Sequence, residues 1–92
     1  MARPRAAARL RLMSLFLLVH RHPAELCSSA WAAWNGHVSP LRGLTVGCTC
    51  VHGGHTAWWE VEAASAEEAL ALLPEYVAGA TVATPIRREV TP

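Results

Sequence analysis

The chain has no lysine and no aspartate, so its fixed charge rests on eight arginines and seven glutamates. That charge is unevenly divided. Arg3, Arg5, Arg9 and Arg11 precede Met13, and from Met13 onward four arginines stand against seven glutamates, a net charge of −3. A folded part of that sign argues against nucleic acid as the main partner, because phosphate binding needs a cationic surface. Cysteine is scarce and odd in number: Cys27, Cys48 and Cys50. Three thiols do not make the paired framework of a small secreted scaffold, so a reducing cytoplasm is the expected setting. No apolar run approaches the ~20 residues of a membrane span. No internal period marks a repeat architecture.

What is present is apolar: 52% of 92 residues, enough for one domain with a modest core. The first twelve residues, MARPRAAARLRL, carry no core pattern and read as a disordered basic tail ahead of a single domain over 13–92. Two other readings compete. Met13 could be the natural start, or the tail could be the basic end of a secretory signal running through LMSLFLLV. Cleavage near Ser29-Ala30 would remove a strand the fold needs, which disfavours the signal.

Residues 44–62, LTVGCTCVHGGHTAWWEVE, organise the rest. Gly53-Gly54 between two β-rich runs predicts a hairpin with a two-residue type I′ turn. That register places His52 opposite His55, Cys50 opposite Ala57, Cys48 opposite Trp59 and Val46 opposite Val61. Upstream, SLFLLVHRH (14–22) is an unbroken apolar run of strand length and predicts a central strand. Pro23 then opens a helix with Leu26, Cys27, Ala30, Trp31 and Trp34 on one stripe, stopped by Asn35-Gly36. Ser65-Ala66-Glu67-Glu68 is a capping box. Pro74 splits the helix that follows, which restarts through Tyr76-Val77 and stops at Gly79. The last strand, 81–90, contains Pro85 and is therefore expected at a sheet edge.

The order β-α-β-β-α-β with right-handed crossovers predicts an α+β, ferredoxin-like domain. Its antiparallel sheet has order 4-1-3-2, with two helices on one face. The covered face is expected to hold Leu15, Leu17 and Val19 with Cys48, Cys50, Trp59 and Val61. The open face then holds Phe16, Leu18, His20, Thr49, Val51, Trp58 and Glu60, an apolar surface that calls for a partner. The element order, the run HTAWWEVEAASAEEAL and the closing ATVATPIRREV resemble small members of the dimeric α+β barrel superfamily. That group includes cofactor-free isomerases and monooxygenases, and small nickel-binding bacterial proteins. The resemblance implies a homodimer with a cleft between two sheets. No catalytic motif of the family can be matched residue by residue.

Three kinds of chemistry suit these residues. His20 and His22 close the first strand and His52 and His55 flank the hairpin tip, so four imidazoles gather at one sheet end. Such a group could hold a divalent transition metal, nickel or zinc. A small apolar ligand could instead occupy the cleft lined by Phe16, Leu18, Thr49 and Trp58. The alternative is a cofactor-independent isomerase, monooxygenase or cyclase acting on a small aromatic substrate, with Glu60 as general base and His20 as its acid partner. Against that, Glu60 is also placed to pair with Arg87 or Arg88. Cys48 and Cys50, with Cys27 facing them, read as a soft-metal or redox group or as small apolar packing. Ala57 and Trp59 opposite them favour packing. RNA recognition on this topology expects basic and aromatic residues on the central strands, where Glu60 and Glu62 stand instead.

Overall fold

A computed structural model describes residues 13–92, so the tail expected over 1–12 lies outside the described residues. Strand β1 (Ser14–Arg21) leads through a 3-10 turn (Ala24–Leu26) into helix α1 (Cys27–Ala32). A long loop reaches β2 (Gly47–Cys48), a second 3-10 turn (Cys50–His52) and β3 (Thr56–Ala63). Helices α2 (Ala66–Leu70) and α3 (Glu75–Ala78) precede β4 (Thr81–Ile86). All neighbouring strands are antiparallel, in the order β2-β3-β1-β4, which is the expected 4-1-3-2 read from its other edge. The protein is thus α+β with a four-stranded antiparallel sheet.

Local chemistry explains the downstream half. Ser65 Oγ accepts from the Glu68 N–H at 3.1 Å, and Glu68 reaches back to the Ala64 N–H at 3.3 Å. This satisfies two amides that a helix start otherwise leaves open. Pro74 separates α2 from α3, as the missing N–H and the ring demand. On the sheet, Arg21 N–H bonds the Ala80 carbonyl, so bonded pairs alternate from there: Val19–Val82, Leu17–Thr84 and Leu15–Ile86. Phe16–Pro85 falls between them, and the Pro85 nitrogen faces outward from the sheet edge.

The covered face differs from the expected one. Phe16, Leu18 and His20 on β1 are buried, opposite Val61, Trp59 and Ala57 on β3. Ala69 and Val77 from the downstream helices and Leu73 from the turn between them close over them, with Trp31 and Trp34 packed from the α1 side. Leu15, Leu17 and Val19 face the other way, with Trp58, Glu60 and Glu62. The reason lies in the run itself. Both alternate sets of SLFLLV are apolar, so period two gives no contrast, and a one-residue choice of parity exchanges the faces.

The hairpin also differs. Cys48 lies opposite Ala57, not Trp59, and Gly47 lies opposite Trp58. The register moves by two residues because 50–55 forms a wider tip in which Cys50–His52 curls into the 3-10 turn. Thr49 holds this tip: its carbonyl accepts from Gly54 N–H at 3.0 Å and its Oγ1 from Thr56 N–H at 3.2 Å. Gly53 takes the left-handed conformation at φ 83°. At Gly54 a Cβ would collide with Thr49 Oγ1. Since the shift is even, the side-chain faces on the hairpin stay as expected.

Candidate metal centre

Chain reversal brings two histidines and two cysteines together where β1 ends and the hairpin turns. His22 directly follows β1 and is buried. Pro23, with φ −69°, ends the extended run, and its carbonyl accepts from Leu26 N–H at 2.9 Å. That tight turn returns Cys27, the first residue of α1, to the neighbourhood of His22. From the hairpin come Cys50, which opens the 3-10 turn, and His55, which precedes β3. His55 adopts φ 46°, a left-handed conformation costing on the order of 1–3 kcal/mol for a side chain of this kind. Its carbonyl is tied to His22 N–H at 3.1 Å, which locks the tip against the end of β1. One nitrogen or sulfur from each of His22, Cys27, Cys50 and His55 lies within 4.8 Å of all the others. These four residues could hold a metal ion.

A chain of hydrogen bonds aims His22. His20 Nδ1 lies 3.1 Å from the Val77 carbonyl and 3.1 Å from Thr81 Oγ1. A carbonyl only accepts, so His20 carries its hydrogen on Nδ1 and presents a lone pair at Nε2. Thr81 Oγ1 donates its own hydrogen to the same carbonyl at 2.7 Å, which leaves it free to accept. His20 Nε2 lies 3.0 Å from His22 Nδ1, and His22 must therefore donate there. What remains on His22 is a lone pair at Nε2, which points to Cys50 Sγ at 3.7 Å. The ring nitrogen free to bind metal is the one facing the cluster.

The electrostatics agree. Burial lowers the proton affinity of His20 below that of a free imidazole, opposed in part by the Val77 carbonyl and helped by neighbouring His22. Burial also lowers His22, and His55 adds to the effect. Neutral imidazole is the ligating form, so the shift on His22 favours a metal, and a neutral His20 keeps the lone pair that orients it. His55 Nδ1 is buried and makes no hydrogen bond among the described residues. An unsatisfied buried nitrogen on a residue of the cluster is the kind of atom a cation satisfies.

Of the four histidines expected at a metal, the structure brings His22 and His55 into the cluster. His20 stands behind His22, and His52 is exposed on the tip outside the group. The cleft residues do not share a face: Phe16 and Leu18 are buried under the helices, Thr49 braces the hairpin, and Trp58 is half-buried on the open face. Nor are His20 and Glu60 brought together. His20 lies opposite Ala57 on the covered side, while exposed Glu60 lies opposite Leu17 and accepts from Arg88 Nη2 at 2.7 Å. Two cysteines that read as packing, Cys27 and Cys50, supply half of the cluster, and Cys48 is exposed on β2. A signal for them exists in the mirrored spacing His22-x4-Cys27 and Cys50-x4-His55, although no C-x-x-C marks it.

Among the described residues no helix is long and apolar enough to cross a membrane. Compared with protein-family models, with curated proteins and with solved structures, the chain matches none.

Proposed function

We propose that the protein is a small metal-binding domain in which His22, Cys27, Cys50 and His55 hold one transition-metal ion, with Zn²⁺ the best fit. The relay from the Val77 carbonyl through His20 to His22 carries this reading, because it leaves the ligating nitrogen neutral, buried and aimed at Cys50. Metal-bound histidines ordinarily rest on such an outer partner. Two thiolates and two imidazoles form a closed zinc set, whereas nickel favours square-planar fields. Bond lengths of roughly 2.0–2.3 Å imply ligand atoms ~3.3–3.8 Å apart around tetrahedral zinc. Binding therefore draws the cluster together by about an ångström from its 4.8 Å span.

The role that fits four protein donors is structural. No position is left for a water, and the ion clasps three segments: the end of β1, the start of α1 and the hairpin tip. Binding free energy at such a site is folding free energy. The thiols must be reduced, which suits the expected cytoplasmic setting. The test is metal analysis and native mass spectrometry of untagged protein, followed by Co²⁺ substitution. One metal per chain and intense tetrahedral visible bands with a sulfur charge-transfer band support the reading. Bands of an octahedral, sulfur-free ion, or a metal content unchanged by His55→Ala, overturn it.

The open sheet face supports a second reading, a homodimer of the dimeric α+β barrel kind. Leu15, Leu17, Val19, Trp58 and Ile86 are half-buried there and Val82 is 63% exposed. A contiguous apolar face of this sort is ordinarily covered. Its lining replaces the Phe16 and Leu18 of the expected cleft. Sedimentation of the metal-loaded chain should give twice the chain mass, and Leu17→Arg should return it to one. A chain that remains single at high concentration excludes this association.

A further inference from the structure

On the helix side of the sheet, Trp31, Trp34 and Trp59 border an open cleft of about 160 Å³ with Leu41, Val46 and Arg42, and none of the four candidate ligands lines it. Trp34 and Trp59 are in ring contact, their centroids 5.7 Å apart and their planes tilted by 39°. Three indoles meeting around one space could hold either a quaternary ammonium or a flat apolar group. The charge at the rim decides between them. Among the described residues no carboxylate lines the cleft, and Arg42 is the one charged residue that does. Among the described residues Arg42 makes no ion pair, whereas Arg87 and Arg88 pair with Glu89 and Glu60. A cation in the cleft would meet that guanidinium, while an anion would be met by a planar fork of donors suited to a carboxylate. Size narrows the class further, since an apolar cavity of roughly 150 Å³ accepts a benzene. We infer that this cleft is a binding site for a small aromatic carboxylate, its ring among the three tryptophans and its carboxylate on Arg42.

The sequence contains an internal control. Trp58 lies on the opposite face of the sheet, so one of the chain's four indoles reports on the molecule but not on the cleft. The full chain, ¹⁵N-labelled, is titrated with phenylacetate, phenylacetamide and choline while the indole N–H signals are followed. With phenylacetate the signals of Trp31, Trp34 and Trp59 should move together and that of Trp58 stay in place. Phenylacetamide should bind more weakly and choline not at all. Because Arg42 is exposed, Arg42→Gln should keep the fold and weaken phenylacetate by about fivefold, the size expected for an exposed charged contact, without changing the amide's affinity. The inference is overturned if no indole signal moves by about 10 mM ligand, a concentration beyond weak fragment binding. It is equally overturned if Trp58 moves as much as the others, if choline binds better than phenylacetate, or if Arg42→Gln leaves phenylacetate binding unchanged.

Discussion

His20 Nε2 and His22 Nδ1 lie 3.0 Å apart, and the proton between them belongs to His22. The assignment follows from the Val77 carbonyl, which takes the only hydrogen His20 has to give in its neutral form. On the proposed reading His20 is therefore a positioning residue for the ligand His22 and lies outside the four-residue group. We expect His20→Phe, which keeps the bulk, to leave all four ligands in place yet weaken metal affinity by about 10–100-fold. Competition against a chromophoric chelator measures this. Affinity equal to the parent chain would show that His22 needs no such support.

On the hairpin, Cys50 and His55 lie in the cluster while their near neighbours Cys48 and His52 lie outside it. Cys50→Ser and His55→Ala should abolish stoichiometric Zn²⁺ binding, because each removes one of four donors. Cys48→Ser and His52→Ala should leave stoichiometry and affinity unchanged, since both residues are exposed outside the group. Metal content after gel filtration separates the outcomes. Equal losses in both pairs would mean that the sulfur and nitrogen donors are not the four named.

Acid should weaken the metal-free chain in a defined window. Both His20 and His22 bind protons less readily when folded than the ordinary value of 6.5. Below that pH the unfolded chain takes up protons that the folded chain resists, so stability is complete above about 6.5 and declines as pH falls. Thermal unfolding in chelator should show a lower midpoint at pH about 5 than at about 7.5, and a smaller drop in His20→Phe. A midpoint independent of pH across this range would place both rings in water.

Leu17 and Leu18 are neighbours in sequence and opposites in environment. Leu18 is fully buried and contacts the helices' core cluster, so Leu18→Ala should cost about 2–5 kcal/mol. Leu17 is half-buried on the open face of the single chain, and Leu17→Ala should cost less than about 1.5 kcal/mol there. Denaturant titration at low protein concentration compares the two. The reverse order would restore the opposite face assignment, with Leu17 under the helices.

The contrast shows what was legible in the residues and why. Punctuation was largely legible: the Ser65–Glu68 box, Pro74 and Pro85 act at the expected places, whereas Pro23 stands just before the turn in an extended conformation and Gly79 ends its helix right-handed at φ −62°. Sheet order followed from element order, with β1 inside and β4 outside. Strand parity was not legible, because Phe16 and Leu17 are equally apolar. Nor was the hairpin tip. Gly53-Gly54 matches a two-residue turn, but only Gly53 uses its left-handed freedom, and His55 takes the second left-handed position. The metal cluster suffered from both. Moving His20 to the covered face put it behind His22, and the widened tip carried Cys50 inward and His52 outward. Histidines at strand ends were visible as a group, but which of them converge depends on a curl of three residues that no local rule demands.

Pro85 has a consequence beyond marking the end of a strand. Its nitrogen is turned to the outer rim of β4, where any recruited strand would look for a donor and find none. At the far rim, β2 offers only Gly47 and Cys48 as a template. Lateral addition is therefore disfavoured at both borders, by one missing donor on β4 and by the shortness of β2. That leaves the flat of the sheet as the less guarded approach for a second copy of the chain.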